Sequence, residues 1–230
     1  MAHQTAPREA LDVGAIDHRP LREQIADRLQ EGILAGELVP GQAIIETEVA
    51  GQFHVSRAPV REALQILANR GLVTVEPYRG TTVRRLERKD VEEAYGMRSV
   101  LEAFAIRRVM KRTPAETAAE LRRLCGSMEF HAKLGDWRSV SELDDRFHAT
   151  LIRHAEHAIL TRFWNDINMR VRQIMSLRNL KNEDILQIVQ NHLPIIEAIE
   201  AGDESRAIEL TTRHIETAGD LMLEQSLFEQ

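Results

Sequence analysis

Cysteine occurs once in these 230 residues, at Cys125. A lone thiol excludes an internal disulfide framework and a cysteine-based zinc finger, and it suits a reducing compartment. Aromatic residues make up only 4% of the chain, and glycine (12) and proline (7) are sparse. That scarcity favours helices over turn-rich sheet structure. No apolar run is long enough to cross a bilayer. The first ten residues are polar, carry Arg8 and Glu9, and lack the apolar centre of a signal peptide. The expectation is a cytoplasmic chain without membrane contact. Its length allows one or two domains with a sizeable core.

Excess positive charge is also missing overall, since the net charge is −6. Its distribution is uneven, and that matters more than the sum. Between His54 and Arg85, six arginines (57, 61, 70, 79, 84 and 85) stand against Glu62 and Glu76. From residue 89 onward, 19 basic side chains face 24 acidic ones. A basic segment joined to an acidic body fits a DNA-reading module attached to something else.

Val55–Leu64 read V-S-R-A-P-V-R-E-A-L. Val60, Ala63, Leu64, Leu67 and Ala68 follow the i, i+3, i+4, i+7, i+8 spacing of a buried helical stripe. Arg57 and Arg61 lie one turn apart at the leading edge of that helix. An anchored helix with a basic first turn suits a DNA major groove, where arginine binds guanine bidentately and can equally hold phosphate. Ser56 and Thr47, each placed as the N-cap of a helix, are candidate phosphate contacts. Upstream, Leu21, Ile25, Leu29 and Ile33 mark a first helix from Leu21 to Leu34, and a short one begins near Thr47. Downstream, β-prone runs at Leu72–Val75 and Thr81–Arg84 flank a turn at Pro77–Gly80. Arg79 and Gly80 at its tip would let the backbone approach a minor groove. Three helices and a hairpin, in this order, make a winged helix-turn-helix.

From Asp90 the strand pattern disappears. Helices are expected at about 90–110, 114–134, 137–154, 158–178, 183–201 and 204–226, with Asp136, Asn182 and Asp203 as N-caps. The fold class is therefore mainly α. It divides into an arm (1–18), a winged helix-turn-helix domain (19–86) and an all-helical bundle (88–228). Residues 19–85 resemble the DNA-binding domain of GntR-type bacterial transcription regulators. The likeness rests on G-E-L-V-P-G (Gly36–Gly41), V-S-R-A-P-V-R-E-A-L, L-A-N-R-G-L-V (Leu67–Val73) and R-G-T-T-V (Arg79–Val83). It implies a double-stranded DNA operator as partner.

Six of the nine histidines lie beyond residue 130. Asp144 and His148 share a helix face at i, i+4. His192 and His214 stand about ten residues before and after the turn at Gly202-Asp203, which places them at similar heights on antiparallel neighbours. One aspartate and three histidines suit a first-row divalent ion: Zn²⁺ first, then Ni²⁺, Mn²⁺ or Fe²⁺. Read from spacing alone, they fit better a set of separate core or surface histidines, with Asp144 in a helix ion pair, because scattered His and Asp carry no fixed ligand spacing of the finger type. His131, His154 and Asp145 read as solvated, and Trp137, Trp164, Phe147 and Phe163 as core.

S-E-L-D-D-R-F-H (Ser141–His148) resembles the D-x-x-F-H signature of the FadR C-terminal (FCD) effector domain, as M-R-S-V-L-E (Met97–Glu102) resembles its first helix. The resemblance implies a metal site of Asp144, His148, His192 and His214. It also implies a small carboxylate effector in the same pocket, with Arg98 as a clamp unless it merely pairs with Glu102. A ligand-responsive homodimeric transcription regulator follows, with repression the usual polarity. The rival reading is a metal-dependent enzyme with an accessory nucleic-acid-binding module. Against it, no H-E-x-x-H and no clear general base accompany the histidines.

Overall fold

The computed structural model describes residues 19–177 and 185–224. Its elements run α1 (Leu21–Leu34), β1 (Ala43–Ile44), α2 (Glu46–Gln52), α3 (Arg57–Asn69), β2 (Val73–Glu76), β3 (Gly80–Val83), α4 (Arg88–Arg112), α5 (Pro114–Lys133), α6 (Trp137–His154), α7 (Ala158–Ser176), α8 (Ile185–Glu200) and α9 (Glu204–Glu224). The sequence expected residues 1–18 to form an arm and Asn182 to cap a helix. Both fall outside the described residues.

The first half is a winged helix-turn-helix. Ile25, Leu29 and Ile33 of α1 meet Val60, Leu64 and Leu67 of α3 in one apolar cluster, closed below by Leu72, Val73 and Val83. Burying that stripe is what fixes α3 and leaves its other face to solvent. Two strands were expected and three form. The two-residue β1 pairs with β3, which takes the centre of an antiparallel sheet ordered β1-β3-β2. Two residues are too few for alternation to show in a sequence. Backbone with positive φ at Tyr78 (65°) and Gly80 (95°) turns the wing between β2 and β3.

Two cap assignments need correction. Ile45, not Thr47, stands at the N-cap of α2, so Thr47 sits exposed inside its first turn. Ser56 does occupy the N-cap position of α3, but its side chain accepts no capping hydrogen bond.

Among the described residues, six helices, α4 to α9, make the second half. Most boundaries have local causes. Glu87 and Asp90 close a reciprocal capping box on α4. Pro114 opens α5, where its missing N–H costs nothing. The Asp136 carboxylate accepts from Ser139 N–H at 3.2 Å to start α6. His157 caps α7 by accepting the Leu160 N–H at 3.1 Å, a role the sequence reading did not give it. Asp203 accepts the Arg206 N–H at 2.9 Å, as a cap of α9 should.

α4 lies against α7 and α9 through Tyr95, Val171, Ile174 and Ile215. α5, α6 and α8 build the larger core around Leu121, Met128, Phe147 and Ile196. A Cβ on Gly219 would come within 3.0 Å of Tyr95, so α9 reaches α4 closely only because that position is glycine. Of the four aromatics assigned to the core, Phe147 and Trp164 are buried, whereas Trp137 and Phe163 are about half exposed.

α7 touches both halves. Met169 packs onto the winged-helix cluster, and Arg170 approaches Asp90 at 3.6 Å. The same Asp90 carboxylate accepts from Arg84, at the exit of the wing, at 2.6 Å.

Candidate functional site

One helical turn brings Asp144 and His148 to the inner face of α6, where burial of Phe147 and Leu151 fixes their direction. α8 supplies His192 and α9 supplies His214. The four side chains offer ligand atoms that all lie within 4.8 Å of one another. The imidazole rings of His192 and His214 stand 4.4 Å apart, those of His148 and His214 5.3 Å.

The hydrogen bonds behind the rings decide which nitrogens face inward. Glu102 can only accept, so His148 Nδ1–H donates to its Oε2, at 2.6 Å. His192 Nδ1–H donates to the Ile188 carbonyl at 2.7 Å. In the neutral rings this leaves each Nε2 facing the cluster as a lone pair. His192 Nε2 is fully buried without a hydrogen-bond partner and lies 3.1 Å from Asp144 Oδ1. His148 Nε2 lies 3.4 Å from His214 Nε2 and 4.0 Å from Asp144 Oδ2. With the rings neutral, these nitrogens and the Asp144 carboxylate can turn lone pairs toward one another, an arrangement that a cation among them would satisfy. The donor set of three imidazoles and one carboxylate therefore fits a first-row divalent ion.

Glu102 was named in the sequence only as a possible partner of Arg98. It is the hub behind the cluster. Completely buried, it accepts from Arg98 Nε at 2.8 Å, from Trp164 Nε1 at 3.0 Å and from His148. Burial disfavours its charge, but His148 and Arg98 outweigh that and hold the carboxyl far below the usual range. Asp144 is held low in the same way, with its burial outweighed by His192, His148 and Arg98. Burial, reinforced by the other two histidines, pushes His214 well below an ordinary imidazole.

A cavity of about 220 Å³ opens beside these groups, with Tyr95, Arg98, Trp137, Asp144, His148 and His214 in its wall. Apolar walls with a few convergent polar groups are the make-up of a small-molecule site. Arg98 pairs with Glu102, as one of the two readings of it expected, and also stands in the cavity wall. A second, larger opening shares Arg98 and Asp144 and extends to Glu31 and Leu34 of α1 and to Ala35 at its C-cap. His131, His154 and Asp145 are not free in solvent. They bond to Asp136 (3.0 Å), Glu120 (3.0 Å) and Asn168 (2.6 Å).

On the winged half, Arg57 and Arg61 project from α3, more than half exposed. Glu46, in the first turn of α2, takes both guanidinium groups, at 2.8 Å from Arg57 and 3.1 Å from Arg61. The two hydrogen bonds lower its pKa, that from Arg61 foremost. Sequence reading missed this carboxylate, which lies eleven residues before Arg57. Thr47 and Ser56 are exposed near the same arginines, and Arg79 and Gly80 form the exposed wing tip.

Comparison with known proteins agrees with this architecture. Residues 21–83 match the family "Bacterial regulatory proteins, gntR family", and residues 93–217 match the FCD domain. The chain belongs to the gntR family and carries an FCD domain. Within that family, it is 34% identical over 192 residues to a probable D-xylose utilization operon transcriptional repressor of Paenarthrobacter nicotinovorans, covering 84% of each chain. It is 31% identical over 202 residues to the gluconate operon transcriptional repressor of Bacillus subtilis, covering 86% of this chain and 83% of that one. Among solved structures, E. coli McbR/YncC superposes with a TM-score of 0.75 at 20% identity, over 88% of this chain and 96% of that one. A putative GntR regulator from Rhodococcus sp. RHA1 gives 0.74 at 24%, over 88% and 97%. These two show the shared fold. The matched families and relatives are transcription regulators, not enzymes, which sets aside the enzymatic alternative.

Proposed function

We propose that this gntR-family protein is a homodimeric repressor that binds operator DNA through α3 and the wing. A small carboxylate bound beside a metal ion in the helical domain would release it. The observation that carries the reading is the orphaned, buried His192 Nε2, facing Asp144 among two further imidazoles at the wall of a cavity that also holds Arg98. Asp144, His148, His192 and His214 would hold Zn²⁺, Ni²⁺, Mn²⁺ or Fe²⁺. When bound, such an ion supplies a Lewis-acid position for an acid's oxygen.

Arg98 would clamp the same carboxylate through guanidinium N–H groups not used on Glu102. Arg57 and Arg61 would meet bases and phosphates, with Ser56 and Thr47 contacting phosphate and Arg79 and Gly80 entering the minor groove. The relatives named as a gluconate operon transcriptional repressor and a probable D-xylose utilization operon transcriptional repressor support the polarity.

Metal analysis combined with DNA binding tests this. Wild type purified with metal should retain about one ion per chain; Asp144→Ala and His192→Ala should lose it. Arg57→Ala with Arg61→Ala should keep the metal and the melting temperature while losing selected duplex DNA. Metal retained in both site variants, or DNA affinity surviving in the arginine variant, defeats the corresponding half of the reading.

A further inference from the structure

The wing tip carries a residue that the fold of the free chain does not explain. The Arg79 N–H donates back to the Glu76 carbonyl at 3.1 Å, closing a four-residue turn with Pro77 and Tyr78 at its centre. Proline cannot take a positive φ, whereas Tyr78 has φ 65°, so the turn is of type II. Such a turn favours glycine or asparagine where Tyr78 stands, and a bulky side chain there is strained. Among the described residues, His54 and Glu156 are the other non-glycine positions with positive φ. Each follows the C-cap of a helix and closes its last turn, through N–H donated to Gly51 O at 3.3 Å and to Arg153 O at 3.1 Å. Tyr78 ends no helix. Its side chain gains nothing from burial either, being fully exposed at 110%. A lone exposed aromatic is ordinary on a protein surface. One held on strained backbone, without packing to offset the strain, points to a contact made outside the chain.

We propose that this contact is duplex DNA, with the Tyr78 ring against a deoxyribose at the rim of the minor groove and its hydroxyl donating to a phosphate oxygen. The proposal rests on the reading of α3 and the wing as the DNA-binding face and adds an uncharged residue to it. Size decides where the ring goes. The minor groove of B-DNA is about 6 Å wide. The Arg79 side chain and the Gly80 backbone occupy that width, so a phenol two residues before Gly80 is left at the lip. Pro77 fixes the turn before DNA arrives, and the ring is presented with little further loss of backbone freedom.

A contact to sugar and phosphate positions the protein on the duplex and carries no sequence information. A neutral ring also displaces no counterion. These two properties distinguish Tyr78 from Arg79 beside it and from Arg57 and Arg61 on α3.

Titration of the full chain against a duplex selected by the wild type, and against an unrelated duplex of equal length, tests the assignment. Tyr78→Asn suits the turn and should melt about 2–4 °C above wild type, while its Kd rises about tenfold on both duplexes. Tyr78→Phe keeps the ring and should raise Kd about threefold. Neither change should alter the slope of log Kd against log salt, whereas Arg79→Ala should make it shallower by about one. The contact is overturned if Tyr78→Asn binds both duplexes like wild type, or weakens only in step with a lowered melting temperature. A loss confined to the selected duplex overturns the placement on the rim. Arg57→Ala with Arg61→Ala separates this from the underlying reading: DNA affinity surviving in that variant refutes the DNA-binding face, and its loss leaves the Tyr78 result to stand on its own.

Discussion

A single carboxylate, Glu102, bears on almost every group in the helical-domain site. It fixes the tautomer of His148, holds Arg98 at the cavity wall and takes the indole of Trp164. Glu102→Gln removes the charge and keeps the shape. It should destabilise the fold by about 3 kcal/mol, because Arg98 and His148 stay buried without their counter-charge. It should also weaken metal binding about 10–100-fold. Urea titration and a competitive metal-chelator titration read the two effects, and a variant unchanged in both would refute the role.

Titration adds an independent check at the same scale. In metal-stripped protein, His214 has a folded pKa below its unfolded value of about 6.5. The unfolded chain therefore binds that proton first, and stability falls as pH drops below about 6.5. Asp144 and Glu102, also depressed on folding, contribute stability above about pH 4–5 that is lost further down. The urea midpoint should decline from pH 7.5 to 5.5 and more steeply below 4.5; a flat profile across the upper window would contradict the His214 environment.

At the scale of elements, Asp90 is where capping and domain attachment meet. It accepts the Glu87 N–H at 2.8 Å, binds Arg84, and faces Arg170. Asp90→Ala should cost about 2 kcal/mol, from a lost cap and two partly exposed arginines left without it. The melting temperature should fall by about 4–8 °C, and a shift under 1 °C would show the junction to be held otherwise.

Element type was largely readable in advance. The stripe of α3 and the long periodic segments after Asp90 have one dominant period each, and the turns carry Gly, Pro or Asp. β1 was not readable, because its pairing with β3 is tertiary. The histidine cluster was visible only where helix spacing and antiparallel heights constrained it. Glu102 and Glu46 escaped because each reaches partners across α-helical neighbours far apart in sequence: 46 residues in one case, 11 and 15 in the other. Trp137 and Phe163 misled because residue type was read as burial, and large apolar side chains also serve cavity walls and association surfaces.

For the whole molecule, the testable quantity is the coupling between its two halves. A thermal-shift screen of organic and sugar acids on metal-loaded protein should find a ligand that raises the melting temperature by mass action. That acid should weaken binding to the selected duplex. α7 is the element through which such an effect would pass. It holds Asn168 on Asp145, beside the metal-ligand candidate Asp144, while Met169 enters the winged-helix core and Arg170 faces Asp90. A helix shared in this way has no preferred direction of signalling. If the acid lowers DNA affinity by some factor, the duplex must lower acid affinity by that same factor. Operator-bound protein would then be a poorer receptor than free protein, so the amount of DNA in the cell would itself set the acid concentration at which the switch responds.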